Sequence, residues 1–133
     1  MITAKAIYEG NLRCSAKHLK SGEIIYTDAP TDNQGKGEAF SPTDLAATSL
    51  AVCAMTTMAI AANGRNIEIE EMEAEITKIM AAAPRRIAEI IIELRIKAVI
   101  TDEQRQLLED IGRNCPVARS LHPDVKQSLS FRW

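Results

Sequence analysis

The chain has 133 residues and a mass of 14.6 kDa, which suits a single domain with a core of its own. Its net charge of −2 and pI of about 5.7 leave no basic surplus for neutralising phosphates, so we expect no nucleic-acid partner. We see no signal-peptide pattern, and three cysteines are too few for a disulfide framework. We therefore expect one cytoplasmic domain over residues 1–133, with reduced thiols.

The first part of the chain has the pattern of a small antiparallel sheet followed by a loop. Three segments alternate apolar and polar residues and predict β-strands: residues 2–8, 11–19 and 23–28. Gly10 and Gly22 mark turns between them, which favours a meander. Residues 29–40, APTDNQGKGEAF, are rich in turn-forming residues and predict a loop.

A long apolar helix is predicted next. Ser41 is a good N-cap and Pro42 suits the first helical position, while Asn63-Gly64 is a typical C-terminal signal. Residues 45–62 carry no charge over eighteen positions, which is the lower limit for crossing a bilayer. Eleven of those residues are Ala, Ser or Thr, so we interpret the segment as a core helix buried on all sides, without a membrane partner.

The second half predicts strands, then helices, then a strand. Residues 66–80 and 86–100 predict two long strands joined by a turn at Pro84, and a slip of the alternation at Glu70-Glu71 predicts a bulge. A helix capped by Thr101, a short helix from Pro116 and a strand over 125–133 complete the chain. The order βββ-α-ββ-α-α-β is that of an α+β fold around a long buried central helix.

Few side chains could carry chemistry. His18 and His122 favour surface or turn roles, and two histidines are too few for a multi-histidine metal site. The sequence GKGEAF lacks the spacing of a dinucleotide or phosphate loop, so we expect neither metal nor cofactor.

Three cysteines remain. Cys14 falls on the apolar side of the second strand and is predicted to be a core residue. Cys53, in the apolar helix, is by itself more typical of a packing residue. Cys115 precedes Pro116 at a predicted helix start, where unpaired N–H groups would favour a thiolate. From these residues alone, Cys115 is either a small buried residue that ends a helix or half of a two-thiol redox site.

Two segments together resemble the OsmC/Ohr family of thiol-dependent peroxidases: FSPTDLAATSLAVCAMTTMAI (40–60) and LLEDIGRNCPVARSL (107–121). Family members begin a long helix with Ser/Asn-Pro-x-Glu/Asp-Leu, place a cysteine eight residues after that leucine, and carry a later Cys-Pro-Val motif. Leu45, Cys53 and Cys115-Pro116-Val117 stand at those positions. The order of predicted elements also matches along nearly the whole chain.

The resemblance implies an OsmC-like fold and an intertwined homodimer, with the thiol sites near the subunit interface. It also implies that Cys53 and Cys115 are catalytic. Cys53 would reduce a small apolar organic hydroperoxide and become a sulfenic acid, and Cys115 would condense with it to a disulfide. An external dithiol would then reduce that disulfide.

The sequence departs from the peroxidase pattern beside the first cysteine. Peroxidase members have a glutamate directly after the helix-start proline and an arginine in the preceding loop. Here Thr43 follows the proline, Asp44 comes one position late, and no arginine lies between Arg13 and Arg65. A cation could come from elsewhere: Arg85, Arg86 or Arg119. Two hypotheses follow: a hydroperoxide reductase with an altered activating shell, or a binding protein for a small apolar or thiol-reactive molecule.

Overall fold

A computed structural model describes all 133 residues and divides them into two compact units, Met1–Ala46 and Ala47–Trp133. The element order βββ-α-ββ-α-α-β confirms the predicted α+β class. The elements are β1 (Ala4–Gly10), β2 (Arg13–His18), β3 (Ile24–Asp28), α1 (Pro42–Asn63), β4 (Ile69–Ala82), β5 (Arg85–Ala98), α2 (Asp102–Arg113), α3 (Pro116–Ser120) and β6 (Lys126–Arg132).

The first unit contains the predicted antiparallel meander, in the order β1-β2-β3. Only Asp28 and Ser41 are buried in this unit, while several large apolar side chains are about half exposed or more: Ile7, Tyr8, Ile24, Ile25 and Tyr26. Cys14, paired with Tyr8 on β1, is only half-buried. The expectation that Cys14 is a core residue is therefore wrong, because a single sheet layer does not by itself enclose either of its faces.

Helix α1 begins with a reciprocal cap in this unit. The backbone N–H of Asp44 donates to the Ser41 hydroxyl at 3.0 Å, and the N–H of Ser41 donates to a carboxylate oxygen of Asp44 at 3.0 Å. These two bonds satisfy donors that the first turn of a helix leaves unpaired. The predicted start at Ser41-Pro42 is confirmed, and Asp44 has a structural task at this end.

In the second unit, α1 is buried on one face only. Its buried residues recur every three or four positions: Ala47, Leu50, Ala51, Ala54, Met58 and Ala62. Val52 is 54% exposed and Ile60 is 67% exposed. Within one chain, one sheet and two helices cover a single face of α1, so burial on all sides stays a prediction that needs a partner's helix. By length and composition α1 is also apolar enough to cross a membrane, a test that core helices pass as well.

The sheet of the second unit has the order β4-β5-β6. Strands β4 and β5 are antiparallel, and their register shifts between Ile69 and Glu71, where the bulge was predicted. Strand β6 runs parallel to β5. Alternate residues of β5 enter the core with Leu50, Met58, Leu108 and Leu129: Ile90, Ile92, Leu94 and Ile96.

The connection from β5 to β6 consists of the two short helices. The Thr101 hydroxyl accepts the N–H of Gln104 at 3.1 Å, and the Gln104 side chain accepts the N–H of Thr101 at 2.9 Å, which fixes the start of α2. Only Asn114 and Cys115 separate α2 from α3. This tight link places Cys115 at the N-cap of α3, as the sequence predicts.

Candidate functional site: a pair of reduced thiols

Cys53 lies on α1 and is half-buried. Its Sγ is 3.9 Å from the hydroxyl oxygen of Thr57, one turn further along the helix. The Thr57 hydroxyl donates to the carbonyl oxygen of Cys53 at 2.7 Å. The residue is therefore partly exposed, and its sulfur has a polar neighbour on its own helix.

Cys115 is fully buried and joins the same core as α1. Its thiol points at the carbonyl oxygen of Leu50, with a distance of 4.0 Å from Sγ to oxygen. Leu50 precedes Cys53 by about one turn of α1. Cys53 packs against the same buried cluster that contains Cys115, and the Cys53 side chain helps to raise the pKa of Cys115. The structure thus brings together the two cysteines singled out in the sequence, both reduced, and leaves Cys14 in the other unit.

The expected thiolate at Cys115 is not favoured. Burial raises the pKa of the Cys115 thiol, and the neighbouring Cys53 thiol raises it further. The backbone N–H groups of Ala118 and Val117 act in the opposite direction, but burial outweighs them. The N-cap position of Cys115 was predicted correctly. The prediction that this position favours a thiolate was wrong, because a fully enclosed anion loses its hydration.

A second polar constellation lies in the first unit and was missed in the sequence. Arg13 donates two parallel hydrogen bonds to the carboxylate of Asp28, at 2.8 and 2.9 Å, and a longer one of 3.4 Å to Glu38. The Arg13 guanidinium lowers the pKa of Asp28, which also accepts the N–H of Glu38 at 3.0 Å. Opposite charges in the facing strands β2 and β3 were the available signal, since Arg13 and Asp28 are register partners.

Two of the three arginines considered as alternative cations are engaged with backbone. Arg119 donates to the carbonyl oxygen of Asn114 at 2.9 Å, and Arg86 donates to that of Ile87 at 3.0 Å. His18 is the last residue of β2 and contacts Ser21, while His122 follows α3 and accepts the N–H of Asp124. The thiol pair is therefore the feature of the second unit with nucleophilic potential.

Two adjacent thiols of unequal exposure can support a specific kind of chemistry. An accessible sulfur can react with an electrophile from solvent, and a buried neighbour can then close a disulfide with it. No group of three or more His, Cys, Asp or Glu side chains is placed to hold a metal ion. The paired cysteines therefore point to thiol chemistry.

Comparison with known proteins places the chain in a family. A family model described as OsmC-like protein matches residues 35–130. A solved structure from Psychrobacter arcticus 273-4, named for osmotic stress induction and a detoxification response, is 48% identical over 99% of this chain and 96% of its own, with a TM-score of 0.95. No curated protein matches the chain.

Two more distant structures share the fold. The organic hydroperoxide resistance protein OhrB of Bacillus subtilis is 19% identical over 98% of both chains, with a TM-score of 0.66. An organic hydroperoxide resistance protein from Vibrio cholerae, with captopril bound in one of its active sites, is 17% identical over 98% of this chain and 92% of its own, with a TM-score of 0.71. From the family match and the Psychrobacter structure together, this chain belongs to the OsmC-like protein family.

Proposed function

We propose that the protein is a thiol-dependent peroxidase that reduces a small apolar organic hydroperoxide through Cys53 and Cys115. The observation that carries the proposal is the unequal pair itself, a half-buried Cys53 against a fully buried Cys115. Family membership and the names of the Bacillus and Vibrio proteins support the same class of reaction.

The contacts of the two thiols suggest which one reacts first. The pKa of Cys115 is raised, chiefly by burial, so this thiol stays protonated at neutral pH. A protonated Cys115 can donate its hydrogen to a thiolate at Cys53, and Cys53 is the more exposed of the two residues. We therefore assign Cys53 as the sulfur that attacks peroxide and Cys115 as the resolving thiol.

The reaction then runs in three balanced steps. The Cys53 thiolate attacks the terminal oxygen of the hydroperoxide and breaks the O–O bond, so that the alcohol leaves after taking up a proton and Cys53 becomes a sulfenic acid. The Cys115 sulfur displaces the hydroxyl as water and forms the Cys53–Cys115 disulfide. An external dithiol in a reducing compartment such as the cytoplasm restores both thiols by exchange and becomes a disulfide itself.

Stopped-flow oxidation of the reduced protein by an organic hydroperoxide tests this proposal. We expect loss of two thiols per chain in the natural protein and no reaction in Cys53→Ser. Cys115→Ser should undergo one oxidation and then stop, with a sulfenic acid that a dimedone-type reagent traps. Cys14→Ser is the matched control and should behave as the natural protein does. Thiols that survive excess hydroperoxide would contradict the assignment.

We also propose that the protein works as a homodimer. Val52 and Ile60 are apolar and more than half exposed on α1, and the β1-β2-β3 sheet carries further exposed apolar side chains. Such surfaces are costly to leave in water, and a second copy of the chain is the cover that the family resemblance implies. Light scattering at micromolar concentration should give twice the mass of one chain, and Ile60→Glu should lower it.

A second candidate, a binding protein without peroxide turnover, has its own support. The residues at the start of α1 depart from the peroxidase motif: Thr43 stands at the position of the motif glutamate, and Asp44 caps the helix. Arg13 is paired with carboxylates of its own unit. The Vibrio cholerae protein holds captopril in an active site, so a related fold accommodates a small molecule. Hydroperoxide consumption separates the two candidates, because a binder would show saturable ligand binding with both thiols retained.

A further inference from the structure

The hydroxyl of Thr57 has two neighbours on Cys53. It donates to the Cys53 carbonyl oxygen at 2.7 Å, and its oxygen lies 3.9 Å from Sγ. A hydroxyl has a single proton to donate. While the Thr57 hydroxyl donates it to the Cys53 carbonyl oxygen, the hydroxyl oxygen can only accept a hydrogen bond from the Cys53 thiol. This arrangement suits the protonated form of Cys53.

Ionisation turns the Cys53 sulfur from a hydrogen-bond donor into an acceptor. A thiolate has no proton to donate and gains from an O–H directed at it. The Thr57 hydroxyl can rotate towards the sulfur without leaving the Cys53 carbonyl unpaired, because that carbonyl also accepts the backbone N–H four residues later in the helix, which belongs to Thr57 itself. This rotation therefore replaces the hydrogen bond to the Cys53 carbonyl by one to the sulfur, and it leaves no buried polar group without a partner.

The need for such a donor follows from the altered motif. Thr43 occupies the position of the motif glutamate, and the Asp44 carboxylate accepts the N–H of Ser41. The Thr57 hydroxyl and the Cys115 thiol are two hydrogen-bonding side chains beside the Cys53 sulfur. A hydroxyl is a stronger hydrogen-bond donor than a thiol.

We propose that Thr57 is a positioning residue for the reactive form of Cys53: its hydroxyl turns from the Cys53 carbonyl to the Cys53 sulfur when the thiol loses its proton, and holds the thiolate in place. The inference rests on the proposed role of Cys53. It adds a donor from within α1 itself, one turn from the sulfur.

Site-resolved alkylation of the whole reduced protein tests the inference without any peroxide. The rate of iodoacetamide labelling is followed across pH by mass spectrometry of the peptide that contains Cys53. In Thr57→Val, which keeps the shape and removes the hydroxyl, we expect the pH midpoint of labelling to rise by about one unit and the rate at pH 7 to fall about tenfold. Thr57→Ser should restore the natural profile.

Two controls make the result decisive. Thr56→Val applies the same substitution to the exposed neighbouring residue and should leave the profile unchanged. If Thr57→Val does not fold by circular dichroism, Thr57→Ala provides a second hydroxyl-free variant. An unchanged midpoint in a folded hydroxyl-free variant, or an equal shift in Thr57→Ser, would overturn the inference, since the latter would indicate packing. A failure to reduce peroxide would instead count against the proposed function.

Discussion

Mild oxidation of the reduced protein is expected to form one disulfide, between Cys53 and Cys115, and to make the fold more stable. The bond closes a loop of about 60 residues. The chain-entropy relation gives a loop of roughly that length about 4 kcal/mol of stabilisation. For a chain of this size that corresponds to a rise in melting temperature of roughly 10–15 °C.

Thermal unfolding followed by circular dichroism, with and without dithiothreitol, measures this rise. Peptide mapping of the oxidised sample identifies the bond. Cys14→Ser should retain the full shift, while Cys53→Ser should show none. If the oxidised protein melts at or below the temperature of the reduced one, the thiols are not placed for an unstrained bond and the reasoning fails. Cys14 in the main disulfide would refute it as well.

Three further changes test individual parts of the structure. Asp28→Asn removes a carboxylate whose pKa is lowered by Arg13. The ion pair stabilises the fold above the ordinary carboxyl pKa of about 4, and this stabilisation is lost as the pH falls. Urea unfolding should therefore show a deficit in Asp28→Asn at pH 7 that shrinks at pH 3, and a constant deficit would contradict the pairing. Leu50→Ala empties a fully buried site and should lower the free energy of unfolding by about 2–5 kcal/mol; a loss below 1 kcal/mol would mean that the core around α1 is loosely packed. Thr101→Ala removes the cap shared with Gln104 and should lower stability by about 1 kcal/mol, with Thr101→Ser close to the natural protein.

Local patterns in the sequence predicted the elements well. The start of α1 at Ser41-Pro42 and the bulge near Glu70-Glu71 were both predicted correctly. Helix capping and strand alternation depend on a few neighbouring residues, so they can be recognised in the sequence. The parallel pairing of β6 with β5 was not predicted. It depends on where two helices return the chain, and no short pattern encodes that.

Burial was harder to predict than secondary structure. Val52 and Ile60 are apolar, yet the fold of one chain leaves them exposed. The alternation that suggested a core site for Cys14 identifies a face of a strand but not whether anything covers that face. For Cys115 the N-cap was predictable, but the net effect on its pKa depends on the enclosure that distant elements supply.

The parallel return of β6 has a consequence for how the protein is made. Strand β5 gains its parallel partner only when β6 has been synthesised, and Cys115 lies in the connection between them. During synthesis Cys14 and Cys53 therefore leave the ribosome well before the C-terminal segment that contains and encloses Cys115. A nascent chain exposed to oxidant could join the wrong pair of cysteines. Correct assembly of this thiol pair thus depends on a reducing environment until the last strand docks.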